Sequence, residues 1–279
     1  MACSNLVVVL AQPEDLTAIR LIWVLRSRGI QVRAVTPDQL TFSRRWVHRL
    51  GDAPVQSIVE LAEGEPLRSD AIGVLFNRLA CISASPFARP GDRAYAHAEW
   101  NALLLSWMGS LRCPVINPPT PSCLAGATRT PLSMLALAAR VGLPTPRLLC
   151  TSSARQAPSA GMVPLYLLHP APGAGGGSNG ADDHPASLIE PLTGSLGHAL
   201  VVDQEVVPSS YREHAAGCIE LARQLPARLL RIHFGRTRCT PHKRVFVGFD
   251  TLPDLTDRQL RFVAAWTLKR LLGAPERQS

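Results

Sequence analysis

Side chains able to handle phosphate, acids or a cation are thinly spread along this chain. Residues 173–180 read Gly173-Ala174-Gly175-Gly176-Gly177-Ser178-Asn179-Gly180. Backbone N–H groups in such a run, with Gly175 and Gly176 near its centre, can wrap phosphate oxygens. The same composition also makes a flexible linker, which is the plainer reading. Asn77 and Arg78 follow the apolar run Ile72-Gly73-Val74-Leu75-Phe76, and open α/β sheets build their sites at the carboxyl ends of strands. An Arg at such a place either meets substrate or ties down a neighbouring loop. Arg231 and Arg236 are further candidates for acidic substrate groups. Other chemistries lack their patterns. Gly176-Gly177-Ser178-Asn179-Gly180 spells Gly-x-Ser-x-Gly, but the Pro- and Gly-rich residues before it do not read as a strand leading into an α/β-hydrolase elbow. Neither a Walker A sequence nor a Gly-x-Gly-x-x-Gly follows the first apolar run.

The elements that must position these residues alternate between strand and helix. Leu6 to Ala11 is a short apolar run of the kind buried on both faces. Gln12-Pro13-Glu14-Asp15 then opens a helix, in which Leu16, Ile19, Ile22, Trp23 and Arg26 recur with helical spacing. Gly29 ends it, and Gln31 to Val35 is a second strand, so the chain begins with a strand–helix–strand unit. Residues 41–68 are less regular. A third strand falls at 72–76 and a long helix at about 92–111, carrying Tyr95, Leu103, Leu104 and Trp107. A fourth strand at 113–117 is cut off by Pro118-Pro119. Residues 128–141 form an amphipathic helix with Leu132, Leu135, Leu137 and Ala138, capped by Gly142. From 151 to 187 the composition shifts to Ser, Pro, Gly and Ala. Leu200-Val201-Val202 and Glu205-Val206-Val207 then flank Asp203-Gln204 as a hairpin. A helix over 211–225, strands at 228–234 and 244–249, and a last helix capped by Thr256 complete the pattern.

Composition bounds the function classes. The 279 residues suffice for one large or two to three small domains, and 46% hydrophobic with 18% charged residues marks a folded chain. Of 29 basic residues only Lys243 and Lys269 are lysines. A net charge of +8 raises nucleic-acid binding, but the arginines are scattered and no zinc finger, helix-turn-helix or RNA-binding motif accompanies them. The same charge suits nucleotide phosphates or acidic substrates. Seven widely spaced cysteines without a Cys-x-x-Cys give no zinc or disulfide framework. Met1-Ala2-Cys3-Ser4-Asn5 has no signal-peptide character and no apolar run reaches about 18 residues. A cytoplasmic protein without a membrane span is expected.

The order of elements resembles the ATP-grasp superfamily, in its ribosomal-protein-glutamate-ligase-like and peptide-maturase-like branches. Asn77-Arg78 after the third strand, Gly142-Leu143-Pro144-Thr145-Pro146 after the connecting helix, and Leu188-Ile189-Glu190-Pro191-Leu192-Thr193-Gly194 as a hinge segment carry the likeness, together with the hairpin at 198–207 and Leu252-Pro253-Asp254-Leu255. The resemblance implies an α/β protein: a Rossmann-like, parallel-sheet pre-ATP-grasp domain over 1–117, then a shortened ATP-grasp-like α+β core over 118–279, with a flexible Gly-rich segment at about 151–187.

It further implies ATP and Mg²⁺ as cofactors, and ligation of a carboxylate on a small molecule or peptide to an amine through an acyl phosphate. Little covalent work falls to such a protein; it positions groups and neutralises charge. Glu190 would place the adenine, Asn77 and Arg78 would meet substrate, and Asp250 and His233 fall where the family holds its metal. The family's phosphate lysines are absent. One position falls near Pro131, with Arg129 close by, and the Lys-Pro pair reads His169-Pro170. Two functions therefore stand side by side: a ligase with an altered phosphate grip, formed as a possible homodimer, and a non-catalytic relative that serves a protein partner.

Overall fold

The computed structural model describes residues 6–51, 56–82, 89–152, 161–165 and 186–272. In chain order the elements begin β1 (Leu6–Leu10), α1 (Leu16–Arg26), β2 (Val32–Val35), α2 (Pro37–Thr41), β3 (Arg45–Arg49), β4 (Gln56–Glu60) and β5 (Leu67–Arg68). They continue with β6 (Ile72–Asn77), α3 (Pro90–Gly109), β7 (Val115–Ile116), α4 (Pro131–Arg140), β8 (Leu148–Thr151), β9 (Val163–Pro164) and β10 (Ala186–Ile189). The last are β11 (Leu192–Val202), β12 (Glu205–Val207), α5 (Ala215–Gln224), β13 (Leu229–Thr237), β14 (Val245–Asp250) and α6 (Asp257–Leu271). No described helix is long and apolar enough to cross a membrane. The chain divides into two compact units, one from 1–128, 225–229 and 251–279, the other from 129–224 and 230–250.

The first unit is built on a parallel sheet in the order β2-β1-β6-β7. Val7, Val8, Val9 and Leu10 are fully buried, as a strand covered on both faces requires. Asp15 caps α1 by accepting from the Ala18 N–H at 2.9 Å. The helix turns inward a different face from the one its large apolar residues mark. Thr17, Ala18, Leu21 and Leu25 are buried, whereas Leu16 and Trp23 are 72% and 71% exposed. That face packs against α6 and β2, so packing decided the face where hydrophobicity was ambiguous. Residues 41–68, irregular by pattern, contain the antiparallel sheet β3-β4-β5. Trp46 on β3 meets Trp100 and Trp107 of α3 edge-on, with centroids 5.7 and 5.3 Å apart.

The second unit holds the antiparallel sheets β8-β10-β9 and β12-β11-β13-β14. Thr130 caps α4 and Pro131 occupies its first turn, where a missing N–H costs nothing. Gly142 follows at φ +79°, the left-handed conformation expected of a helix terminator. The hairpin after Val202 is as the sequence indicates, but its first strand reaches back to Leu192. Ala199, Leu200, Val201, Ile232, Phe234 and Phe246 form buried core in this unit.

Gly197 on β11 is fixed by a close approach. A Cβ there would run into the phenol oxygen of Tyr211, which is 5% exposed. Gly197→Ala is expected to destabilise by about 2 kcal/mol, the usual cost of overpacking. Adding Tyr211→Phe should recover much of it, because the ring carbon alone lies 3.4 Å from the new methyl position. Urea unfolding of both variants checks this, and a double mutant no better than the single one refutes it.

Candidate functional site

β13 and β14 pair antiparallel, setting Arg231 opposite Asp250 and His233 opposite Gly248. Their side chains meet. His233 Nε2 lies 2.8 Å from Asp250 Oδ2, and an Arg231 guanidinium nitrogen lies 3.4 Å from the same oxygen. His198, on β11, brings its Nδ1 to 2.8 Å from His233 Nδ1, with the rings at 89°. A carboxylate only accepts, so Nε2 of His233 carries the proton toward Asp250. Between the two Nδ1 atoms one ring donates and the other accepts. The hydrogen bond from His233, aided by Arg231, outweighs burial and holds the Asp250 carboxyl below the usual range. His198 is pushed down, first by burial and then by the charges of His233 and Arg231.

The same residues decide how a cation could fit. Mg²⁺ takes oxygen ligands, and commonly only one or two of them are protein carboxylates, the rest being water and nucleotide phosphate. Asp250 is ionised, its side chain is 45% exposed, and both of its partners fall on Oδ2. Oδ1 is thus able to serve a cation that arrives with phosphate. A cage made of protein alone does not fit, since no three His, Cys, Asp or Glu side chains converge among the described residues. In this arrangement His233 serves Asp250 as a hydrogen-bond donor.

Glu190 is 4% exposed and sits just after β10. Its carboxylate accepts the Cys239 N–H at 3.0 Å and has Arg147 Nε at 3.6 Å. Burial alone would push its carboxyl up. Hydrogen bonds from Cys239 and Thr237, and the backbone of Arg147, outweigh burial and hold it at about 2. The charge of Glu190 is therefore spent on fastening the β13–β14 connection to the end of β10. Since the folded value lies below the ordinary 4.5, this fastening is fully present above that pH and is lost as pH falls toward 2. The stability gap between the parent and Glu190→Gln should shrink by about 3 kcal/mol between pH 5 and pH 2. A gap that is flat with pH refutes it.

Asn77 and Arg78 lie in the first unit and are occupied there. Asn77 Nδ2 donates to the carbonyls of Asn117 and Leu124 at 3.0 and 2.6 Å. Arg78 is 9% exposed; its Nε pairs with Asp15 at 2.6 Å and a terminal nitrogen reaches the Pro253 carbonyl at 3.2 Å. Arg129 is exposed, one residue before the cap of α4. His169, Gly175 and Gly176 lie outside the described residues. Nothing in the sequence marks His198, Arg147, Thr237 or Cys239 as a site residue. β11 carries no alternation that would mark His198, and only the strand pairing brings it to His233.

The parallel-sheet unit and the two antiparallel sheets that follow it reproduce the fold of solved ATP-grasp ligases. Over 95% of this chain and 99% of the other, it is similar to the macrocyclase MdnB from Microcystis aeruginosa MRC, with a TM-score of 0.69 at 13% identity. The ATP-grasp ligase PsnB, solved with a minimal precursor, Mg and ADP, matches over 96% and 98% with a TM-score of 0.67 at 17% identity. A RiPP-associated ATP-grasp ligase from Chryseobacterium gregarium, in complex with ADP and a leader and core peptide, matches over 99% of both chains with a TM-score of 0.66 at 12% identity. No family model and no curated protein matches the sequence.

Proposed function

We propose that this protein is an ATP-dependent ligase that tailors a peptide, activating a carboxylate for attack by an amine or similar nucleophile. The observation that carries the reading is the fold match, over 96% or more of this chain, to ligases whose structures contain precursor peptide, ADP or Mg. Asp250 supplies the protein's ligand to the Mg²⁺ that accompanies ATP, with His233 and Arg231 holding its carboxylate in place. Glu190 shapes the hinge by securing Cys239 and Thr237, leaving main-chain groups of the segment to meet the base. Arg129 and His169, with Gly175 and Gly176, take over the phosphate contacts that lysines make elsewhere in the fold. Asn77 and Arg78, proposed from sequence to meet substrate, support it by fixing loops of the first unit. A cytoplasmic location, where ATP is plentiful, goes with this function.

Calorimetric titration with ATP, with and without Mg²⁺, tests the proposal. Micromolar binding that needs Mg²⁺ is the expected result. Failure to bind at millimolar ATP overturns it and returns the chain to a non-catalytic role beside a protein partner.

A further inference from the structure

We propose that a cavity beside Tyr211 binds carboxylate side chains of an acidic peptide, anchored by Arg236 and Arg244. This rests on the ligase reading, since an enzyme that activates carboxylates on a peptide needs a peptide that carries them. The cavity lies within the second unit, measures about 320 Å³, and includes none of Glu190, His198, His233 or Asp250 in its lining. That volume is at the small end of ligand pockets and holds an acidic side chain with its flanking backbone. Phe234 and Tyr211, both buried, give an apolar floor, while Gly194 and Gly197 expose bare main chain along one wall.

The rim is positive. Arg244 stacks over the Tyr211 ring, 4.4 Å from its centroid, and donates to the Ser210 carbonyl. Glu213, 4.0 Å away, is its one ion-pair partner among the described residues. Arg236 has no ion pair among those residues, although its side chain is exposed at the rim. The connection from 236 to 244 holds Arg236, Arg238, Lys243 and Arg244 and no acidic residue. A guanidinium offers a planar fork that matches a carboxylate with two parallel hydrogen bonds. Arg244 is pre-set for this by its stacking, which removes much of the freedom it would otherwise lose on binding. Burial keeps the Tyr211 phenol protonated at neutral pH, so it remains a donor.

Fluorescein-labelled hexaglutamate is the probe, followed by anisotropy at low salt without nucleotide. The parent protein should bind it saturably, and a hexaglutamine peptide should not compete. Arg236→Glu should weaken binding about ten-fold or more, and Arg244→Lys, which keeps charge but loses the fork, about three-fold. Arg261→Glu, on the exposed side of α6, makes the same change in net charge and should weaken it less than about two-fold. Equal losses in the two Glu variants would reduce the effect to overall charge and overturn the proposal. So would competition by hexaglutamine, or displacement by inorganic triphosphate at concentrations far below those of free glutamate, which would make the cavity a phosphate site. Because the assay contains no nucleotide, a failure of ATP to bind counts against the ligase reading and leaves this measurement independent.

Discussion

Asn117→Ala should cost about 5 kcal/mol, enough to unfold a protein of ordinary stability. Asn117 is 1% exposed and uses its whole amide. Nδ2 donates to the carbonyls of Leu229 and Thr251 at 2.7 and 2.9 Å. Oδ1 accepts the N–H groups of Arg228 and Leu229, both at 2.8 Å. Its main-chain carbonyl in turn accepts from Asn77. One side chain thus joins the end of β7 to the start of β13 and to the residue after β14, three segments more than a hundred residues apart in sequence for the first two. Alanine removes four hydrogen bonds and leaves main-chain groups stranded away from water, at about 1–3 kcal/mol for each such group. Asn117→Asp should do nearly as much harm at neutral pH. It keeps the shape and the acceptor but turns a carboxylate oxygen toward two carbonyl oxygens. Urea unfolding followed by circular dichroism measures both. A loss below about 1 kcal/mol for either would mean that water or a neighbouring side chain replaces the amide.

Asp250→Asn should lower Mg²⁺-dependent ATP binding or turnover by about 100-fold while changing stability little. Asparagine preserves an oxygen for His233 and removes the negative charge that a divalent cation needs. Losing one electrostatic element at a site of charge transfer commonly costs a factor of this order. His233→Ala should act more weakly, since Asp250 keeps Arg231 at 3.4 Å. Titration with ATP in Mg²⁺ and then in excess chelator separates the cation's contribution from the nucleotide's. Parent-like affinity in Asp250→Asn would place the cation's ligand elsewhere.

The sequence is informative where structure is local. The first strand, the following helix, the stop at Gly142, the capping by Thr256, and the turn at Asp203 all follow from neighbours in the chain, and each is found. β3 to β5 leave little trace in the sequence because Arg45–Arg49 carries charges at both ends and Leu67–Arg68 is only two residues long. Neither offers a clear alternation. The helix at 92–111 was legible as a helix, yet Tyr95 is 70% exposed where Leu104 and Trp107 are buried. Glu190 stands out by its place in the hinge segment, but what engages it comes from a loop about 50 residues later. Asn117 looks like a strand end before two prolines; its function depends on partners at 228, 229 and 251 that no window contains. The meeting of His198 with His233 is a matter of strand register, which is a tertiary property.

The tryptophans give the chain a spectroscopic asymmetry. Trp23, Trp46, Trp100, Trp107 and Trp266 are all five of them, and every one belongs to the first unit. Indole emission therefore reports the melting of that unit alone, while circular dichroism reports both. If the two signals fall together in urea, the halves unfold as one cooperative body; if they part, the denaturation curve itself resolves two folding units without any added dye.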